Sequence, residues 1–206
     1  MQLRDEWYDI PGTTGGNKMA TEQHIQLKNI FRHFHTITKH RHEVIKNCFR
    51  AGMLWQGLRH DLSKYSPAEF IVGARYYQGY RSPNEGERDA YGYSQAWMHH
   101  KGRNKHHFEY WTDYSRITKQ MEPVPMPTKY VIEMFCDRVA ASKIYMKDSY
   151  TDQSPLEYFG QRKDHRMIHP KTAVFLENLL TMLAEKGEDE TFAYIRSIRK
   201  HNYIDD

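Results

Sequence analysis

A histidine and an aspartate stand side by side at His60-Asp61, inside the run Leu58-Arg59-His60-Asp61-Leu62-Ser63-Lys64. Where a helical turn tilts both side chains into one cavity, the imidazole offers a borderline nitrogen ligand and the carboxylate a hard, charge-neutralising oxygen. That mixture suits Mn, Fe, Ni, Co or Zn. His-Asp dipeptides are common, and one alone carries little. The rest of the chain adds to it. His40 lies 20 residues upstream, with His42 close by. Downstream, His99-His100 and His106-His107 are two pairs seven residues apart. At helical spacing one member of each pair can face a common point, although Gly102 and Asn104 can break the helix between them. Asp137 shares a helical face with Glu133, four residues before it. Taken singly, each of these reads equally well as a solvated surface group. Together they do not, because histidines and carboxylates set within apolar helices are costly to bury unpaired.

The elements that must position these groups read as helices. From Thr21 onward, Leu27, Ile30, Phe31, Phe34 and Ile37 recur at three- and four-residue steps, and Val44, Ile45, Cys48, Phe49 and Met53 extend the stripe towards His60. The pattern leaves open whether residues 21–57 form one helix or two. Ser66-Pro67-Ala68-Glu69 predicts a helix start with a capping box. Residues 78–92 read as a surface loop. Short helices are expected around 93–101 and 104–116, and MEPVPMP (121–127) reads as a Pro-rich connector. Thr128 is expected to cap a helix carrying Ile132, Phe135, Cys136, Val139, Ala140 and Ile144. After another loop, Pro170 opens a helix that stops near Gly187, and an amphipathic piece covers roughly 189–200. No alternating run marks a strand, so the expected class is all-α. Residues 1–20 read as an N-terminal arm, 21–148 as the metal-binding domain, and 149–206 as C-terminal helices packed on that domain.

Composition sets bounds. The 206 residues suffice for one domain with a sizeable core, and 39% apolar with 14% aromatic content lies in the globular range. No stretch approaches the ~20 apolar residues of a membrane span, and the first residues lack the plan of a signal peptide, so a cytoplasmic protein is expected. Cys48 and Cys136, each without a CxxC partner, exclude a disulfide scaffold and are expected to be buried free thiols. A net charge of +4 favours an anionic small molecule without indicating nucleic acid. Homo-oligomerisation is left open. Ten of the 13 histidines fall between His24 and His107.

The order His40, His60-Asp61, a histidine block at 99–107, then Asp137 resembles the signature of the HD-domain superfamily of metal-dependent phosphohydrolases. LRHDLSK is similar to its central block, Lys64 included. The set HDLSKYSPAEF, AWMHHKGRNKHHFEYW and EMFCDRVAASKIY also looks like a bacterial and phage family with no assigned function, over roughly residues 30–148. The resemblance implies an HD-like helical bundle with the metal between core helices. It implies a divalent ion at His40, His60, Asp61 and Asp137, with a second site possible. His100 and His107 are taken as its extra pair, His99 and His106 as alternates, and His42 competes with His40.

The implied reaction is hydrolysis of a phosphate ester of a nucleotide or other small phosphorylated molecule. Asp61 would ligate and orient water, while Lys64, Lys101 and Arg103 would hold the substrate's oxygens. Glu133 or Glu109 would fix a ligand histidine's second nitrogen. Two other readings stand beside it. One is a di-iron oxygenase on the same ligand set. The other is a binding or regulatory protein without chemistry, for which Phe108-Glu109-Tyr110-Trp111 and Tyr76-Tyr77 would be partner surface.

Overall fold

The computed structural model describes residues 24–161 and 166–203; the expected N-terminal arm lies outside them. The first helix, α1 (Leu27–Arg50), buries His33, Ile37, His40, Val44, Asn47 and Cys48. The apolar stripe read from its first half is therefore only partly a core face. Leu27 and Phe31 are 76% and 73% exposed, and His33 and His40 take the inward positions instead. The helix ends before Gly52, whose φ of 74° suits a residue without Cβ. The 21–57 pattern is thus two helices, the second being α2 (Leu54–Arg59).

Gly57 sets how closely α2 lies on α1. A Cβ there would stand 2.7 Å from Cys48 Cβ and 3.2 Å from Ile45 Cα, so α2 would have to move away. Gly57→Ala should therefore cost about 1–3 kcal/mol of stability, as overpacking does. An unchanged denaturation midpoint would show that the contact is not a constraint. Arg41 ties the other end of α2 down, its guanidinium donating to the carbonyls of Leu58 and His60. These are helix-end carbonyls without intrahelical partners.

After a 3-10 turn at Leu62–Tyr65 comes α3 (Pro67–Arg75), with Pro67 at its first position as expected. The capping box does not form. Ser66 makes no side-chain cap, and Glu69 turns its carboxylate to His99 and His100. The 78–92 segment is more than a loop, because it contains α4 (Pro83–Tyr91), begun by Pro83 and ended by Gly92 at φ 78°. Next, α5 (Gln95–Lys101) is capped by Ser94 Oγ accepting from Trp97 N.

The helix expected at 104–116 is absent. That stretch holds a 3-10 turn at Phe108–Tyr110 and a short strand, β1 (Thr112–Tyr114). β1 pairs antiparallel with β2 (Met121–Pro123), in the segment read as a connector. Three residues per strand are too few for alternation to show in a sequence. These are the only strands among the described residues, and the class is all-α.

The central helix is α6 (Thr128–Met146), which packs on α1, α7 (Ser154–Gly160) and α8 (Pro170–Ile198). Thr128 is its first residue and makes no side-chain cap; Pro127 occupies the cap position. Val131, Ile132, Phe135, Cys136, Val139 and Ala140 are buried, and so is Glu133. α7 lies in what the sequence reads as loop. α8 is kinked at Gly187 (φ 78°, ψ 177°), which accounts for the expected stop there followed by a second piece. Beyond the kink Glu188 pairs with Arg50 and Lys143, joining α1, α6 and α8. One buried cluster runs through α1, α6, α7 and α8, and both free cysteines lie in it. No helix among the described residues is long and apolar enough to cross a membrane.

Candidate metal centre

His60 and Asp61 reach one cavity by a route other than a helical turn. α2 ends at Arg59, His60 is extended (φ −55°, ψ 130°), and Asp61 takes the left-handed conformation (φ 53°, ψ 24°). Asp is among the few non-glycine residues that tolerate that region. The reversal turns both side chains towards α1 and α6.

There they meet His40 from α1 and Asp137 from α6. His40 Nε2 lies 2.9 Å from Asp137 Oδ1 and 4.0 Å from Asp61 Oδ2. His60 Nε2 lies 3.3 Å from Asp61 Oδ2 and 3.4 Å from Asp137 Oδ1. The other oxygen of Asp61 faces a second group. Its Oδ1 is 3.3 Å from His100 Nε2 and 3.5 Å from His106 Nε2, and His100 Nε2 is 2.8 Å from His107 Nε2. In each of the two groups, His40/His60/Asp61/Asp137 and Asp61/His100/His106/His107, one donor atom per residue lies within 4.8 Å of the others. Asp61 belongs to both, with one oxygen towards each.

Glu133 sets the histidine tautomers. Its Oε1 accepts from His60 Nδ1 at 2.9 Å and from His106 Nδ1 at 3.2 Å, and Gln56 Nε2 donates to its Oε2 at 2.5 Å. With Nδ1 held by Glu133, each ring turns its Nε2 inward, the nitrogen that a metal would take once it is deprotonated. Glu69 does the same for His100, accepting from Nδ1 at 2.8 Å. Atoms able to ligate a metal therefore converge on one point. His60 Nε2, His106 Nε2 and both Asp61 oxygens are buried and lack a hydrogen-bond partner. Lys64 Nζ reaches Asp61 Oδ2 at 2.7 Å, an ion-pair contact without hydrogen-bond geometry. A divalent cation resolves such a convergence, and buried carboxylate–imidazole sets with outer carboxylates are what transition metals use. The residues fit.

Without a metal, these groups hold one another's charges. Burial opposes charge on His60, yet Asp61, Asp137 and Glu133 outweigh it and raise its pKa well above the ordinary imidazole value. Burial also opposes ionisation of Asp61 and Asp137. His60 and Lys64 hold Asp61 well below the carboxylate range, and His40 and His60 do the same for Asp137. Glu133 falls to about 2 against its own burial, through hydrogen bonds from His106 and His60. Burial, with His106 and His100 nearby, pushes His107 well down, and burial lowers His40.

A family model for a family of unknown function (DUF5662) matches residues 29–182. The chain belongs to that family. No curated protein matches. No solved structure matches. The family match runs past residue 148, where the resemblance read from the sequence stops, so α7 and the first part of α8 are part of the family's own unit.

Within this family member the structure gathers His40, His60, Asp61, His100, His106, His107 and Asp137, and puts Lys64 on Asp61. It gathers both His106 and His107, where the sequence reading takes His107 first. Gly102 ends α5, and the chain doubles back instead of running two more helical turns. His99 turns to Glu69 at 2.6 Å, and His42 is exposed. Glu109 contacts none of the gathered histidines. Its Oε2 is buried without a hydrogen-bond partner, and burial raises its pKa. Arg103 is exposed, its Nη1 donating to His99 O, and Lys101 is half-buried on the last turn of α5. Glu69, Gln56 and Arg41 are missed by sequence reasoning. Glu69 reads as a cap, and nothing local marks the other two.

Proposed function

We propose that the protein is a metal-dependent hydrolase of the HD type, acting on a phosphate ester of a nucleotide or other small phosphorylated molecule. The observation that carries this reading is Asp61, whose two oxygens face two histidine groups around one buried point. His40, His60, Asp61 and Asp137 would hold one ion, and Asp61, His100, His106 and His107 a second. A bound divalent metal would acidify a water and polarise a phosphoryl oxygen. The chain's own groups do the rest. Glu133 and Glu69 keep the imidazoles facing inward. Lys64 offsets the negative charge of Asp61. Burial of His60, Asp61, His100 and His106 strengthens the charge interactions among them. Order of ligands, the two-cluster geometry and the helical fold support membership of the HD superfamily.

The test is metal analysis of the purified protein, followed by hydrolysis of p-nitrophenyl phosphate, its bis-ester and a nucleotide panel with Mn, Fe, Co, Ni or Zn. Metal uptake with phosphate release is the expected result. A protein with no affinity for any of these metals overturns the metal centre. Iron in both clusters with dioxygen uptake and no phosphate release replaces the hydrolase with the oxygenase reading, which draws on the same seven donors.

A further inference from the structure

Two of the cations that the sequence offers for substrate binding are already engaged. Lys64 lies on Asp61, and Arg103 is exposed with its Nη1 on a backbone carbonyl. Another cation follows a candidate ligand directly along α6. The charges of Asp137 and Glu109 both reach Arg138, neither as a close ion pair. Arg138 is half-buried, and its Nε is buried with no hydrogen-bond partner among the described residues. No carboxylate of the described residues forms an ion pair with it within 4.0 Å. Its Cζ lies 5.5 Å from the centroid of Phe159, a ring 1% exposed, and Arg166 Cζ lies 4.4 Å from the same centroid. Two guanidiniums thus share one buried ring, beside a ligand of the candidate centre.

Burying the Nε of a guanidinium without a hydrogen-bond partner is costly. Phe159 offsets part of that cost by cation–π contact, but a ring face leaves the N–H fork unused. A planar fork of donors matches the oxygens of a phosphate.

We propose that Arg138 is the phosphate-binding residue of this site, its guanidinium taking oxygens of a phosphoryl group presented to the His/Asp centre. The inference rests on reading that centre as one that acts on small phosphorylated molecules, and it supplies the specificity that Arg103 does not.

The metal-loaded full chain is titrated with inorganic phosphate by calorimetry, beside Arg138→Gln and Arg138→Lys, with metal content measured on every sample. Loss of a charged hydrogen-bond donor should weaken phosphate binding about 10–100-fold in Arg138→Gln, at unchanged metal content. Arg138→Lys should recover only part of it, because an ammonium lacks the fork. A folded, metal-loaded Arg138→Gln with wild-type phosphate affinity overturns the proposal. So does a wild type that takes up metal but no phosphate. If Arg138→Gln fails to fold, wild-type affinity in Arg138→Lys overturns it instead. Arg138-dependent phosphate binding by a protein that holds no metal sinks the hydrolase and leaves this inference standing.

Discussion

Asp61→Asn should empty both clusters at once. One oxygen of Asp61 lies 3.3 Å from His60 Nε2 and the other 3.3 Å from His100 Nε2, so a single carboxylate serves both histidine groups. Asparagine keeps the shape and tolerates the left-handed backbone that residue 61 adopts (φ 53°). The substitution therefore removes charge without forcing the turn to change. Metal content should fall to background, and the rise in Tm that metal gives the wild type should vanish. Asp137→Asn is the comparison. Asp137 contacts only His40 and His60 among the gathered histidines, so its loss should spare the group at His100, His106 and His107. Retention of one full equivalent of metal by Asp61→Asn would show that Asp61 is not shared. In the metal-free state, Asp61→Asn also leaves the Lys64 ammonium without its close partner, so Tm should fall there as well.

How much of this centre can be read from the sequence depends on what each residue needs around it. His40 and Asp137 are legible because each sits at a fixed register in an apolar helical pattern, where a buried charge calls for a partner, and His60-Asp61 because the two ligand types are adjacent, although they lie past the end of α2. The choice within each histidine pair is not legible. It is made by the reversal after α5, where Gly102 ends the helix and His106 and His107 both come back to Asp61. Glu69 illustrates the opposite failure. A Glu three residues after Ser66 satisfies the capping pattern, and only the packing of α3 on α5 reveals that its carboxylate is taken by His99 and His100. The apolar stripe at the start of α1 misleads for a similar reason. Periodicity finds the helix but not which face has a neighbour, and Leu27 and Phe31 have none in the core. The helices at 83–91 and 154–160 are short and polar enough that their Pro and Gly residues dominate the local pattern.

The two outer carboxylates should separate the two clusters. Glu133 Oε1 accepts from His60 on one side and His106 on the other, while Glu69 meets only His100 among the gathered histidines. Glu133→Gln keeps volume but replaces an acceptor-only group with one that carries an N–H₂. It can no longer hold both Nδ1 protons at full strength, and the inward lone pairs are lost from both rings together. Loss of an outer-shell partner of this kind typically weakens metal affinity about 10–100-fold. In Glu133→Gln that weakening should appear in both binding steps of a Mn²⁺ or Co²⁺ titration. Glu69→Gln should affect only the step that belongs to His100. Its tightest metal should therefore bind as in the wild type, at His40, His60, Asp61 and Asp137. A merely structural role would lower Tm in the metal-free protein and leave the ratio of the two steps unchanged. Equal weakening of both steps in Glu69→Gln would therefore break the assignment of separate supports. If the assignment holds, one cluster can be emptied without touching a ligand, which allows hydrolysis to be measured with the first ion alone.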